Sequence, residues 1–264
     1  MESALVIEQG SGIGICTGDV AYTNRQHSEK NELKPHLNQT WCIGTINGQF
    51  IAQMERILWL YAQPYDVKYP VVCFDERPCF LIGEEVMPLL MRNGQPRKEH
   101  YAYEKNGACA LLAAIEPLTG ARLGQVYPRR TKREYTLFCQ TLVQQWPDAI
   151  KIRLVQDNLN THNASSFYEH LPAPDAFELA QHFEFFYTPK AASWLNMIEI
   201  EFSALTRMCL HRRIPTIEQL EYEALALISE RHDQRIKIHW QFSLACARTK
   251  LASKYACVND ANLM

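Results

Sequence analysis

Three acidic residues, each delivered by an apolar segment, most constrain what this chain can fold into. One apolar run leads directly into Asp75, a second leads into Asp157, and a predicted amphipathic helix carries Glu199. A buried strand that ends in an acid places a carboxylate at the rim of a sheet, and three converging carboxylates form an oxygen-rich site for hard divalent metal ions. Sites of this kind are suited to the cleavage and transfer of phosphodiesters.

The composition is that of an ordinary globular protein. The chain has 264 residues, of which 47% are hydrophobic and 21% are charged, enough for one large domain or one domain with an appendage. No apolar run is long enough to span a membrane. Because the N-terminus lacks a basic segment followed by a long apolar core, we expect no signal peptide.

The cysteines favour a reducing compartment. There are nine, an odd number, scattered through apolar segments and never spaced as Cys-x-x-Cys. This distribution favours buried free thiols of a cytosolic protein over a disulfide framework or a zinc site.

Strand and helix signals organise the chain from residue 67 onward. We expect an irregular leader at 1–32, a connector with a helix at 33–66, and a catalytic domain at 67–258. Strands are predicted at 71–75, 108–115, 121–127, 151–156 and 183–187. Helices are predicted at 48–62, 131–146, 163–182, 194–210, 216–232 and 243–253. A long excursion, which includes Pro78, is expected after the first strand.

This order predicts an α/β fold with a mixed five-stranded sheet flanked by helices. It resembles the order of the ribonuclease-H-like fold, in which acids lie on the first strand, on the fourth strand and on a late helix. The three acids of this chain occupy those places.

The segment after the predicted fourth strand is rich in polar groups. Asp157 is followed within six residues by Asn158, Asn160, Thr161 and His162. The pattern predicts a catalytic loop, and it is also typical of a loop that caps the next helix through Asn160 or Thr161. For His162 we favour a phosphate contact or a structural hydrogen bond over metal ligation, because Mg²⁺ prefers oxygen ligands.

Two glutamates compete for the third position. Glu199 and Glu201 each lie roughly 80° from the centre of the apolar stripe of the predicted helix, on opposite sides. Both are therefore at the border between core and solvent, and periodicity does not choose between them.

Two basic groups stand out from a chain whose formal net charge is −2. The first places four cations in five residues: Arg129, Arg130, Lys132 and Arg133. The second comprises Arg207, His211, Arg212 and Arg213. Either group would contact DNA phosphates or would simply form a solvated loop and a solvated helix end, and the sequence leaves both interpretations open.

A series of short motifs runs in fixed order through residues 33–254. The motifs are Leu-Lys-Pro-His at 33–36, Trp-Cys-Ile at 41–43, Val-Val-Cys-Phe-Asp-Glu at 71–76, Arg-Arg-Thr-Lys at 129–132, Asp-Asn-Leu-Asn-Thr-His at 157–162, Tyr-Thr-Pro-Lys at 187–190, Ser-Trp-Leu-Asn-x-Ile-Glu at 193–199, Trp-Gln-Phe at 240–242 and Ala-Arg-x-Lys-Leu at 247–251. Together they resemble the bacterial insertion-sequence branch of the mariner-type DDE transposases.

The resemblance implies a ribonuclease-H-like catalytic domain that moves DNA by cut-and-paste transposition with two Mg²⁺ or Mn²⁺ ions. Its catalytic, metal-binding acids fall on Asp75, Asp157 and Glu199, the last because the family motif reads Asn-x-Ile-Glu. It also implies a homodimer on DNA, inverted repeats and a TA target as the DNA partner, and a cytoplasmic protein associated with the nucleoid. The residues expected to contact DNA are Arg129, Arg130, Lys132, Arg133, Asn158, His162 and Lys190.

The chain departs from the family pattern in three places. Family members usually have Lys at the position of Arg77, and His or Gly near the position of Ala191 and Ala192. The family also carries N-terminal helix-turn-helix modules, and this chain begins near their end, so we expect a truncated copy that keeps its catalytic core. The alternatives are a catalytically silent remnant and a stand-alone metal nuclease of the same fold.

Overall fold

The structure is a computed structural model that describes residues 46–89, 91–96 and 98–260. The expected leader and the motifs at 33–36 and 41–43 lie outside the described residues. The described chain divides into two compact units, one formed by residues 49–244 and a smaller one formed by the described residues on either side of that range. No helix in the described ranges is both long and apolar enough to cross a membrane.

A mixed sheet organises the larger unit. Its strands are β1 (Val71–Glu84), β2 (Tyr103–Glu116), β3 (Ala121–Tyr127), β4 (Ile152–Gln156) and β5 (Phe183–Tyr187). They form one five-stranded sheet in the order β3-β2-β1-β4-β5. The β1–β2 and β2–β3 pairs are antiparallel, whereas β1–β4 and β4–β5 are parallel. The predicted fold class is confirmed.

Most helices lie close to the predicted positions, but the stretch predicted at 163–182 is divided into two helices, and a last helix extends beyond the predicted end at 253. They are α1 (Gly48–Tyr61), α2 (Lys132–Gln145), α3 (Ser165–Tyr168), α4 (Ala173–Gln181), α5 (Ile198–Met208), α6 (Ile217–Asp233), α7 (Leu244–Lys250) and α8 (Ala252–Asp260), with a short 3-10 helix at Ser193–Leu195 before α5. Helix α2 begins with a full capping box between Thr131 and Glu134. At the start of α6, Thr216 accepts from the Gln219 N–H, while the Gln219 side chain donates to Glu223.

Two apolar layers cover the two faces of the sheet. Cys73 and Val155 belong to one layer, together with buried side chains of α1, α5 and α6. Val72, Phe74 and Leu154 belong to the other layer, together with buried side chains of α2, α3 and α4. Successive strand residues therefore point to opposite layers, as the two-residue period of a strand requires.

Strand β1 is much longer than predicted, because it continues through Pro78 to Glu84 instead of ending at Asp75. Its parallel pairing with β4 ends at Cys73 and Val155, while its antiparallel pairing with β2 continues to Glu84. The Pro70 carbonyl accepts from the Arg153 N–H, so residues of even number in β1 direct their backbone groups toward the β4 side. The ring nitrogen of Pro78 therefore faces the side left free by β4, where a missing N–H costs no ladder hydrogen bond.

The cysteines are free thiols throughout the described part of the chain. Five are buried, namely Cys73, Cys79, Cys109, Cys139 and Cys209. Cys246 is only partly buried and Cys257 is exposed, so the expectation of burial is wrong for Cys257 and only partly met by Cys246.

Candidate active site where two parallel strands stop pairing

Asp75 and Asp157 occupy matching positions on adjacent strands. The last parallel pair of β1 and β4 joins Cys73 to Val155, and each aspartate lies two residues beyond its strand's member of that pair. Neighbouring strands lie about 4.8 Å apart, and residues two apart on a strand point to the same face. Both aspartates therefore start from adjacent positions, on the face covered by α1, α5 and α6.

Glu199 reaches the same face from α5. It lies in the first turn of this helix, between Ile198 and Phe202, and both of these pack in the layer that contains Cys73 and Val155. The helix thus brings a third carboxylate to the side of the sheet on which the two aspartates lie.

The pKa of Asp75 reflects both its burial and the charges of the two other acids. The pKa of Asp75 is raised to about 7, chiefly by burial; the charges of Asp157 and Glu199 also raise it, whereas the Glu76 N–H and His162 oppose the rise. Burial also raises the pKa of Glu199, against the nearby Arg77. The charge of Asp75 is therefore disfavoured both by burial and by the two other acids.

The donor set fits a hard divalent cation, because Mg²⁺ and Mn²⁺ prefer carboxylate oxygens. As they stand, no three His, Cys, Asp or Glu side chains among the described residues are grouped closely enough to hold one ion. Like charges repel in a partly buried site, so we expect the three carboxylates to close on a cation only by rotating their side chains.

Behind Asp157 lies a buried imidazole. The His162 ring is 1% exposed and packs between Phe74 and Tyr135, with ring centroids 5.2 and 5.1 Å away. Its Nδ1 is hydrogen-bonded to Oδ1 of Asp157. Its Nε2 lies 3.6 Å from Oε2 of Glu76, an ion-pair distance too long for a hydrogen bond.

These contacts set the charges of the pair. Burial would lower the pKa of His162, but Asp157 and Glu76 outweigh it and raise the pKa to about 9. Burial would raise the pKa of Asp157, but the hydrogen bond and charge of His162 lower it. The site therefore holds Asp157 as a carboxylate oriented by an imidazolium.

The phosphate contact expected for His162 is wrong. Its side chain has 0% exposure, which leaves no surface for DNA to touch. The structural hydrogen bond, the other role considered for this residue, is the one that the structure contains.

Glu201 is engaged elsewhere. It is 1% exposed, and its carboxylate lies 3.0 Å from Nε of Arg122 and 2.6 Å from Nε of Arg231. Burial raises the pKa of Glu201, but the two guanidinium groups outweigh it and lower the pKa. A carboxylate neutralised by two arginines is a poor ligand for a cation, so the geometry favours Glu199 as the third acid.

A known protein family matches the segment that contains these acids. The sequence profile of the DDE superfamily endonucleases matches residues 70–221, more than half of the chain. The chain belongs to this family. No curated protein sequence matches it.

Solved structures share the fold of this DDE endonuclease. A Mos1 strand transfer complex is 12% identical, with a TM-score of 0.50, over 96% of this chain and 81% of that one. A Mos1 mariner paired end complex with Mn is 12% identical, with a TM-score of 0.49, over 96% of this chain and 82% of that one. The strand transfer complex supports the ribonuclease-H-like fold, which is all that such low identity shows.

The residues expected to contact DNA differ in their exposure and in whether they form ion pairs. Exposed side chains are those of Arg129, Arg133, Asn158 and Lys190. Arg130 is paired with Glu76 at 3.1 Å, although 55% of its side chain is exposed, and Lys132 is paired with Glu169.

The second basic group is partly structural in this DDE endonuclease. Arg212 pairs with Glu223, and Arg213 pairs with Glu84 and donates to the carbonyls of His100 and Ala102. Neither arginine is free to neutralise a phosphate without giving up these partners.

The sequence interpretation missed Glu76 and Asn196. In the sequence, Glu76 stands out only as part of a motif, yet its carboxylate contacts both His162 and Arg130. Asn196 is 1% exposed and donates to the Phe74 carbonyl. The available signal was an amide within an otherwise apolar segment three residues before Glu199, because a buried amide must find hydrogen-bond partners.

Proposed function

We propose that this chain is the catalytic domain of a transposase that cuts DNA strands and joins them to new DNA. The observation that carries the proposal is the matching position of Asp75 and Asp157 on adjacent parallel strands, with Glu199 on the same face. A carboxylate triad on a DDE endonuclease fold suits phosphodiester chemistry.

The three acids form the cation site in this proposal. Asp75 and Asp157 would hold the divalent cations, and Glu199 would help to hold one of them. Bound Mg²⁺ or Mn²⁺ would activate a water or a DNA 3′-hydroxyl for attack and would stabilise the leaving oxygen. His162 keeps Asp157 ionised and oriented through its hydrogen bond. Exposed Arg129 and Arg133 hold backbone phosphates and give affinity without choice of sequence.

The finer assignment rests on the motif series in the sequence. We propose a bacterial insertion-sequence element, inverted repeats as the DNA bound, a TA dinucleotide as the target and a homodimer on DNA. The Mos1 strand transfer complex, which is similar in fold, supports DNA as the partner.

The test is cleavage of a labelled DNA duplex that carries the inverted repeats of the element. We expect strand cleavage that depends on Mg²⁺ or Mn²⁺ and is abolished by Asp157→Asn. Because this variant also loses the ion pair with His162, its metal-free unfolding temperature should fall, and thermal unfolding must establish that it is folded at the assay temperature. The exposed Asp148 offers a matched control, and Asp148→Asn should cleave normally. Cleavage by Asp157→Asn at the normal rate would refute the site.

The same assay separates the alternatives. Metal-dependent cleavage without joining of the cut end to target DNA would indicate a stand-alone nuclease. Neither cleavage nor joining, in protein that still folds and binds DNA, would indicate a silent remnant.

A further inference from the structure

Asn196 lies at the junction between the strand that carries Asp75 and the helix that carries Glu199. It is 1% exposed, and its neighbours Leu195, Met197 and Ile198 are buried apolar residues. Its Nδ2 donates to the carbonyl of Phe74, the residue before Asp75, at 2.8 Å. A buried amide in apolar surroundings is costly unless it is hydrogen-bonded, so this contact fixes where the side chain lies.

The Phe74 carbonyl lies just past the point where the parallel pairing of β1 and β4 ends. The parallel ladder between β1 and β4 ends at Cys73 and Val155. Since the Pro70 carbonyl accepts from the Arg153 N–H, a continued ladder would bring the Asp157 N–H to the Phe74 carbonyl. The Asn196 side chain donates a hydrogen bond to that carbonyl instead, at the point where the strands that carry Asp75 and Asp157 stop pairing.

The other end of Asn196 organises the start of α5. Its Oδ1 lies 3.4 Å from the Ile198 N–H, and its backbone carbonyl accepts from the Glu199 N–H at 3.2 Å. The residue at the N-cap position, Met197, makes no side-chain cap hydrogen bond. The first turn of α5 therefore takes its side-chain cap from Asn196, one residue earlier.

A second tie lies beside the first. The hydroxyl of Tyr61 donates to the Leu195 carbonyl at 2.8 Å and lies 3.4 Å from Sγ of Cys73. Residues 195 and 196 are thus both attached to β1, through Cys73 and Phe74, just before Asp75.

From these contacts we infer that Asn196 is a positioning residue, which sets the separation between the carboxylates of Asp75 and Glu199 and so the geometry of the metal pair. The inference rests on the proposed function. Without the amide, α5 stays packed through Ile198 and Phe202, but its first turn loses its link to β1. Glu199 then no longer faces Asp75 at a fixed distance.

The experiment measures binding of Mn²⁺ alone by titration calorimetry, in wild type, Asn196→Ala, Asn196→Asp and Asn106→Ala. Asn106 is a matched control, because its Nδ2 also donates to a distant backbone carbonyl, that of Pro215, at 3.0 Å. Asn196→Asp keeps the shape but replaces the donor with an acceptor facing the Phe74 carbonyl.

We expect both Asn196 variants to bind the weaker Mn²⁺ ion about 10- to 100-fold less tightly, the usual effect of losing an outer-shell partner. The tighter ion and the control should be unchanged. In cleavage assays kcat should fall while KM for DNA stays constant. Weaker binding of one ion only is the decisive result, because a general loss of stability would reduce the binding of both ions together. Should Asn196→Ala fail to fold, Asn196→Asp and Asn196→Ser carry the same comparison.

The outcomes separate this inference from the proposed function. Wild type that binds no Mn²⁺ would count against the metal site itself. Wild type that binds Mn²⁺, with Asn196 variants that bind both ions equally well, would refute the positioning role and leave the proposed function intact.

Discussion

The imidazole of His162 is hydrogen-bonded through Nδ1 to the carboxylate of Asp157, and both belong to the loop that follows β4. The ring is held between two aromatic side chains and faces Glu76 on its far side. The loop therefore contains its own support for the acid.

His162→Asn should weaken cleavage about 10- to 100-fold, because Asp157 loses the partner that orients it. The measurement is single-turnover strand cleavage at saturating Mg²⁺, with thermal unfolding to establish that the variant folds. The exposed His170 provides the control, and His170→Asn should leave the cleavage rate unchanged. Equal rates for both variants would show that Asp157 needs no support.

Glu199→Gln and Glu201→Gln should have opposite effects. Glu199→Gln should abolish cleavage without loss of stability, because burial already disfavours the charge of Glu199. Glu201→Gln should keep the metal ligands but destabilise the fold by about 3–5 kcal/mol, since it leaves two arginines without their buried partner. Urea unfolding and the cleavage assay, run on both variants, separate the two effects.

Acid should narrow the stability difference between wild type and Glu201→Gln. Arg231 and Arg122 lower the pKa of Glu201 despite its burial. Its charge therefore stabilises the fold above the unfolded-state pKa, and this contribution is lost as the pH falls through the lower folded-state pKa. Urea unfolding of both proteins over the acidic range tests the sign, and a difference that grows in acid would contradict it.

Asp75→Asn should stabilise the metal-free protein at alkaline pH. The pKa of Asp75 is raised by burial from 3.8 to about 7, so the folded state binds a proton that the unfolded state has released. Stability must then decrease as pH rises from about 4 through about 7. In EDTA, the variant should melt at a higher temperature than wild type at pH 8, and the difference should shrink steadily as the pH falls toward about 4.

Binding to DNA should be weak, indifferent to sequence and dependent on salt. Non-specific affinities lie around 10⁻⁴–10⁻⁶ M at physiological salt. Replacing Arg129 and Arg133 together by Ala should reduce the slope of log K against log salt by about 2, because each contacted phosphate contributes about 0.9. Arg212→Ala should leave the slope unchanged, since Arg212 is paired with Glu223.

Scrambled DNA of equal length provides the comparison for the inverted repeat. A preference of about a hundredfold for the repeat would exceed what phosphate contacts supply and would show that the chain reads bases directly.

Much of the fold could be predicted from local patterns. Strands β3 and β5 have the predicted limits, because turns and prolines bound each of them closely. The sequence predicts an end of β1 at Asp75, which is too early, because Pro78 is a strong break signal. Only the tertiary structure shows that the Pro78 nitrogen faces a side without a neighbouring strand.

The site was predictable in its residue types more than in its contacts. Apolar runs that end in acids indicated Asp75 and Asp157, but their matching register depends on strand pairing, which the sequence does not contain. The choice between Glu199 and Glu201 needed the positions of Arg122 and Arg231, which are far away in the chain. The burial of His162 depends on Phe74 and Tyr135 in the same way.

The position of Pro78 limits strand pairing between molecules at the open edge of β1. A strand that extends beyond its neighbour exposes unpaired backbone groups that invite strands from other molecules. A proline whose nitrogen faces that open edge removes one donor from the template, just past the acid of the candidate site. The edge beside Asp75 is therefore poorly suited to pairing with a strand of another molecule.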